Sequence, residues 1–131
     1  MVHEKHQFPY IQAGSYYRPI IPIRLRHHTI IARYSALVDS GADFNLLHGE
    51  IADILGIDLQ HMKTQTIGGI GGKAVGYPYM MDIGIGDTFY QTQVIFSYEI
   101  SIKGFGILGQ SGFFDRFIVE FNRADKAVTL T

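Results

Sequence analysis

The chain has 131 residues, the length of a single domain, and its 11 basic and 12 acidic residues leave a formal net charge of −1. Because lysine and arginine are nowhere clustered, we expect neither a nucleic acid nor an anionic membrane surface as a partner. The absence of cysteine excludes disulfides, thiol catalysis and cysteine-ligated zinc.

The N-terminal stretch carries charges and histidines where a signal peptide would need an apolar core. No apolar run approaches the ~18 residues that indicate a membrane span. We therefore expect an irregular lead-in over residues 1–17, one folded domain over residues 18–131, and a cytoplasmic location.

Short runs of β-branched and aromatic residues, broken by 15 glycines, predict an all-β protein. The first two strands are predicted at residues 20–25 (IIPIRL) and 29–39 (TIIARYSALVD), joined around the pair His27 and His28. Pro22 cannot donate to a sheet ladder, so it is expected at a sheet edge. The second strand ends in a continuously apolar run, as a strand covered on both faces would.

The best helix candidate follows at residues 48–57 (HGEIADILGI). Ile51, Ile54 and Leu55 have the spacing of one helix face, which we expect to be buried. Gly56 stands where a left-handed C-terminal cap belongs.

Strands broken by glycine are predicted over the rest of the chain. Turns are expected at residues 68–72 (GGIGG) and 83–87 (IGIGD). A buried strand should lead into a short turn or helical segment within residues 105–117. The alternating residues 117–121 and the final residues 127–131 (AVTLT) predict a closing hairpin.

Neither the glycine-rich stretch nor the six histidines fit a cofactor or metal motif. A phosphate-binding loop needs a glycine and a Ser or Thr at positions that hold Ile67 and Ala74. No histidine pair has metal-ligand spacing, and His27 and His28 on one strand should point to opposite faces. We therefore expect no cofactor and no metal, and a flexible hairpin tip at the glycines.

The most informative stretch is ALVDSGADF, residues 36–44, where an apolar strand runs into Asp39. Burying a carboxylate is costly, so its position needs a reason. In one interpretation Asp39 starts an Asx-type turn and Gly41 supplies a positive φ. In the other, the carboxylate is held there for chemistry, with the Ser40 hydroxyl bonding a backbone group and Gly41 giving backbone N–H groups room to approach.

A pair of carboxylates would suit the second interpretation. Two carboxylates held about 3 Å apart cannot both ionise, so they share one proton. One can then take a proton from water while the other donates a proton to a substrate carbonyl. Such a pair titrates as a unit and gives a bell-shaped rate profile on the acid side.

The sequence around Asp39 resembles the signature of the retropepsin-like aspartic proteases, which is Asp-Thr/Ser-Gly-Ala after an apolar strand. The match lies at Asp39, Ser40, Gly41 and Ala42. The family's second landmark, two apolar residues and a glycine, is matched by Ile107, Leu108 and Gly109.

The resemblance covers residues 18–131, and the segment after Leu108 is more similar to bacterial than to viral members. It implies an all-β, closed or partly open barrel with one or two short helices. The glycine-rich hairpin would be the flap that closes over a substrate.

The resemblance also implies a homodimeric endopeptidase. The chain holds a single Asp-Ser/Thr-Gly, and Gln110 cannot ionise, so the second carboxylate would be Asp39 of another copy. Ser40 would join a hydroxyl network between the two copies, and AVTLT could help to build a dimer sheet. The residues implied to line the cleft for a peptide substrate are Gly41, Ala42, Asp43, Gly69, Ile70, Gly71 and Gly72.

One departure concerns Gln110, because viral members usually carry an arginine there whose ion pairs this chain lacks. Two alternatives stay open. The chain could be a peptide-binding or dimerisation module of the same fold with little or no catalysis. It could also be an unrelated β-barrel in which Asp-Ser-Gly is only a turn.

Overall fold

The computed structural model describes residues 5–69, 72–100 and 104–131. Within these ranges the chain forms twelve β-strands and one α-helix, α1 (Gly49–Leu55). The strands are β1 (His6–Pro9), β2 (Ile11–Ala13), β3 (Tyr16–Arg18), β4 (Ile20–His27), β5 (Ile30–Val38), β6 (Leu46–His48), β7 (Gln65–Gly69), β8 (Gly72–Ile85), β9 (Thr88–Ser97), β10 (Gly106–Leu108), β11 (Val119–Asn122) and β12 (Ala127–Leu130).

The main sheet has the strand order β4-β5-β10-β6-β9-β8-β7, and β4 also pairs with β8. The pairings therefore lead back to β4, and the sheet has the closed or partly open barrel form that the resemblance implied. Its interior is mainly apolar. The largest fully buried side chains are Phe96, Phe113, Ile21, Ile23, Leu25, Leu47, Leu55, Met81, Ile83, Ile85, Ile95 and Leu108.

The first two predicted strands are confirmed as β4 and β5, which pair antiparallel along their whole shared length. Pro22 is exposed and pairs with Ser35. The pairing of β4 with β8 begins only at Arg24. The missing N–H of Pro22 therefore interrupts no ladder between β4 and β8.

The predicted helix is confirmed, and Gly56 ends it in the left-handed conformation with φ 76°. The prediction that Ile54 is buried was wrong, because its side chain is 63% exposed. The buried face consists of Gly49, Ile51, Ala52 and Leu55. Since successive residues turn by about 100°, Ile54 lies about 60°, a sixth of a turn, beyond Ile51 at the edge of that face.

The expected irregular lead-in is corrected by the structure, because residues His6–Arg18 form three strands. β2 and β3 make a small hairpin, whereas β1 pairs with β12 at the other end of the chain. The C-terminal hairpin of β11 and β12 is confirmed and completes the sheet β1-β12-β11. Among the described residues β1 pairs with β12 alone, which is distant in sequence, so a local pattern gives little sign of it.

Two smaller expectations are also resolved. The segment after β10 forms hydrogen-bonded turns and no α-helix. His27 and His28 do not sit on opposite faces of a strand, because His28 lies in the β4–β5 turn with φ 57°. Their ring centroids are 4.2 Å apart.

Among the described residues, no group of three or more His, Asp or Glu side chains is arranged to hold a metal ion. The one helix found there is too short to cross a membrane.

Candidate active site

Asp39 and Gly109 are brought together by two neighbouring parallel strands. β5 and β10 run side by side with Leu37 opposite Ile107 and Val38 opposite Leu108. Because parallel strands end at the same edge of a sheet, the residues that follow them meet there. The Asp39 N–H donates to the Leu108 carbonyl at 3.0 Å, which extends the pairing by one residue.

The carboxylate of Asp39 is held on one side only. The Asp39 Oδ1 accepts a hydrogen bond from the Gly41 N–H at 2.9 Å. The backbone carbonyl of Asp39 accepts a second one from the Ala42 N–H at 3.1 Å. The side chain is partly exposed, and the described residues make no further hydrogen bond to it. The second carboxylate oxygen is therefore open to a ligand or to another chain.

The two interpretations of Asp39 are not exclusive. The Oδ1 bond to Gly41 is the Asx-type turn of the first interpretation. The predicted positive φ at Gly41 was wrong, since the residue is not in the left-handed region. What glycine provides is room, because a Cβ there would lie 3.3 Å from Asp39 Oδ1.

The loop that follows Asp39 is bound to the segment that follows β10. Backbone N–H groups of Gln110 and Ser111 donate to the carbonyls of Ala42 and Asp43, each at 2.9 Å. The Gln110 side chain adds a third bond, from Nε2 to the Ser40 carbonyl at 2.7 Å. The glutamine therefore anchors the loop through a neutral amide, a role that sequence reasoning missed.

Gly109 allows these two segments to approach each other. A Cβ at this position would lie 2.5 Å from the Phe44 carbonyl oxygen and 2.7 Å from that of Ala42. Both contacts are with backbone, which has no rotamer to change. The family landmark at Ile107, Leu108 and Gly109 thus has a steric basis in this chain.

Asn45 supports the site through two hydrogen bonds of its buried side chain, and the sequence analysis did not identify it. The residue is fully buried, and its Oδ1 accepts from the Gly109 N–H at 3.0 Å. Its Nδ2 donates to the Gln93 carbonyl at 3.1 Å, so the side chain joins the Asp39 loop, β10 and β9. The sequence did carry a signal, since Asn45 is a lone amide between apolar neighbours. An amide in such a position is expected to be buried, and a buried amide must be hydrogen-bonded.

The glycine-rich hairpin consists of β7 and β8, with Gly69 opposite Gly72. Ile70 and Gly71, which were predicted to line the cleft, lie outside the described residues. At the base, the Ser97 hydroxyl donates to the Val75 carbonyl at 2.7 Å, and the Val75 N–H donates to Glu99 Oε2 at 3.2 Å. No hydrogen bond of the described residues joins this hairpin to the Asp39 loop.

A cavity of about 370 Å³ opens beside the strand that carries Asp39. Leu37, two residues before Asp39, contributes its side chain to the wall. The remaining lining residues come from the N-terminal hairpin and from the approach to β10, and they are Ala13, Gly14, Arg18 and Phe105.

Comparison with solved structures identifies the fold. A retropepsin-like aspartic protease from Rickettsia conorii matches with a TM-score of 0.73 at 20% identity, over 98% of this chain and 100% of that chain. The EIAV protease complexed with the inhibitor HBY-793 matches with a TM-score of 0.58 at 20% identity, over 76% of this chain and 88% of that chain.

No protein-family model and no curated protein sequence matches the chain. The structural likeness nevertheless spans nearly the whole molecule. The chain therefore has the retropepsin-like fold, as the motif at Asp39 predicted.

Proposed function

We propose that the protein is an aspartic endopeptidase that acts as a homodimer. The observation that carries this proposal is the placement of Asp39 at the edge of two parallel strands, with one carboxylate oxygen bonded and the other open. Burial of the surrounding strand and three bonds to the following loop restrain the residue without covering its carboxylate.

The second carboxylate of the site would be Asp39 of another copy. In a twofold dimer a residue near the axis meets its own symmetry mate, so a single aspartate per chain is enough. Ser40 lies beside it, is exposed, and has a hydroxyl without a described hydrogen bond. That hydroxyl is available for the network between the two copies.

AVTLT would offer no free strand edge to a second copy. Both edges of β12 are already paired, one with β1 and the other with β11. The dyad requires the contact between copies to include the Asp39 loop, and any strand pairing between copies would use the outer edges of β1 or β11.

The chemistry follows from the shared proton. The ionised Asp39 takes a proton from water as the water oxygen attacks the carbonyl carbon of the peptide bond. The protonated Asp39 of the other copy donates its proton to the carbonyl oxygen. Collapse of the tetrahedral intermediate breaks the C–N bond, and the nitrogen leaves with a proton from the dyad.

The substrate would be a peptide bound as an extended strand between the Asp39 loop and the β7–β8 hairpin. Ala42 and Asp43 would form the floor of the cleft, and residues 69–72 would close over the bound peptide as a flap. The cavity beside Leu37 could receive a side chain next to the cleaved bond, and its walls are mainly apolar.

The decisive experiment is cleavage of a diverse peptide pool across about pH 3 to 7, with the wild type beside Asp39→Asn. An amide cannot act as the base, so the variant should retain its circular dichroism spectrum and lose at least ~10²–10⁴-fold in rate. The rate of the wild type should peak in acid.

Turnover that persists in Asp39→Asn would refute the peptidase proposal. Absence of cleavage by a protein shown to be dimeric would instead favour the peptide-binding module of the same fold.

A further inference from the structure

Two arginines stand directly opposite each other on the outer face of the barrel. Arg24 on β4 pairs with Arg33 on β5, and directly opposed residues of an antiparallel pair point to the same face. Two like charges in this arrangement repel each other. An anion between or beside the two groups would relieve this repulsion.

No carboxylate of the described residues forms an ion pair with Arg24 or Arg33. By contrast, Arg26, two residues further along β4, has a carboxylate partner, because its Nε lies 3.6 Å from Asp82 Oδ2. Among the residues that the structure describes, neither Arg24 nor Arg33 has such a partner. The Arg33 side chain is exposed and makes no hydrogen bond within the same ranges.

Arg24 is already fixed in place. Its guanidinium lies over the Phe89 ring, with 4.6 Å from Cζ to the ring centroid, and Nη2 donates to the Gly86 carbonyl. A guanidinium held by its neighbours loses less side-chain entropy when it binds a further group. Four of its five N–H donors are not used by these contacts.

The two arginines lie in a groove of about 530 Å³, within the range of small-molecule sites. Ser35 follows Arg33 on the same face of β5 and adds a hydroxyl. Phe8, Pro22 and Tyr34 supply apolar wall. The complete lining is Phe8, Pro22, Ile23, Arg24, Arg33, Tyr34, Ser35 and Gly86.

We propose that this groove binds a small organic anion, whose carboxylate or phosphate oxygens are held between Arg24 and Arg33. Planar guanidinium groups match either oxyanion with paired N–H donors. Ser35 donates a further hydrogen bond, and the body of the ligand packs on Phe8 and Pro22. The site lies on the outer face of β4 and β5, and its occupancy does not depend on the peptidase activity proposed for Asp39.

The test is a nitrogen–proton NMR titration of the full chain, with inorganic phosphate and benzoate as separate probes. Sodium chloride at matched ionic strength is the reference. We expect saturable shifts at the Ser35 amide and the Arg33 Nε. Saturation by phosphate alone or benzoate alone assigns the headgroup, and both outcomes support the oxyanion site.

Arg33→Gln should weaken binding by at least ~10-fold, because charge-assisted hydrogen bonds are lost. Arg123→Gln makes the same charge change in the β11–β12 turn and should bind like the wild type. Asp39→Asn should also bind like the wild type. If Arg33→Gln does not fold, Arg33→Lys keeps the charge without the fork and should still bind more weakly.

Two results would overturn the proposal. One is the absence of saturable shifts in the wild type beyond those caused by sodium chloride. The other is equal affinity of a folded Arg33 variant and the wild type.

Discussion

At the scale of single residues, the Asp39 loop is held by neutral hydrogen bonds. The partner of the Gln110 side chain is the Ser40 carbonyl, and an amide donates to a carbonyl without bringing a charge near Asp39. The glutamine therefore fixes the loop by a contact within the chain itself. The bond runs to the residue that adjoins the proposed catalytic carboxylate.

Replacing Gln110 with alanine should weaken this anchor. One net hydrogen bond is worth about 0.5–1.5 kcal/mol, so the free energy of unfolding should fall by roughly that amount in urea titrations. The rate of peptide cleavage should fall by a larger factor than the change in the folded fraction accounts for, because the loop that carries Asp39 is held less firmly. Gln91→Ala, an exposed glutamine on β9, is the matched control and should change neither quantity. Normal cleavage by Gln110→Ala would show that the anchor is dispensable.

At the scale of elements, the approach of β10 to the Asp39 loop depends on the absence of a side chain. Gly109→Ala should force the backbone of Ala42 or Phe44 to move, because both carbonyls lie under 3 Å from the new Cβ. We expect a loss of about 1–3 kcal/mol or more in the free energy of unfolding. The measurement is urea denaturation followed by circular dichroism.

Gly68→Ala is the control for that change. A Cβ at Gly68 meets nothing within 4 Å, and its backbone is not in the left-handed region. Its stability should stay within about 0.5 kcal/mol of the wild type. Equal losses in both variants would mean that a general loss of glycine flexibility, and not the contact, determines the effect.

Tyr98, the residue after β9, is joined to Asp53 of α1 by a hydrogen bond, and its donor is a hydroxyl that can ionise. The Tyr98 hydroxyl donates to Asp53 Oδ1 at 2.6 Å, and this hydrogen bond, with burial as a lesser cause, raises the pKa of Tyr98 to about 12. A tyrosine whose pKa is raised on folding stabilises the protein fully below its unfolded pKa of about 10. That contribution is lost as the pH rises from about 10 through about 12.

Ultraviolet titration of tyrosinate should therefore show a late ionisation step near pH 12 whose amplitude falls by one tyrosine in Tyr98→Phe. The rest belongs to Tyr34 and Tyr90, because burial raises the pKa of both. Asp53→Asn should move the Tyr98 part of the step to lower pH, because the charged acceptor is gone. Tyr16→Phe, which alters an exposed tyrosine of the β2–β3 hairpin, should leave the step in place. An unchanged step in Tyr98→Phe would refute the assignment.

At the scale of the whole molecule, the proposed activity requires two copies. If wild type and Asp39→Asn are mixed in equal amounts and exchange freely, about one quarter of the dimers carry two aspartates. Cleavage per total protein should then fall to about one quarter of the wild-type value, and not to one half. The check is activity after equilibration, with sedimentation to establish the dimer.

A fall to one half would show that each chain acts alone, which contradicts the dyad. The control mixture combines Asp39→Asn with the active variant Gln91→Ala, and it should give the same quarter.

Local signals in the sequence determined much of the molecule. Alternating and continuous apolar runs predicted β4, β5 and the C-terminal hairpin, and Gly56 marked the end of α1. The motif at Asp39 also predicted the retropepsin-like fold. These signals succeed because strand pattern, helix capping and a tight turn are fixed by neighbouring residues.

Only the tertiary structure decided the contacts between segments that are distant in sequence. The pairing of β1 with β12, the Gln110 bond to Ser40 and the hydrogen bonds of the buried Asn45 all depend on how distant strands are placed against each other. Register is set by how whole faces pack, so no single stretch encodes it. The sequence therefore identified the candidate carboxylate, whereas the fold decided what holds it in place.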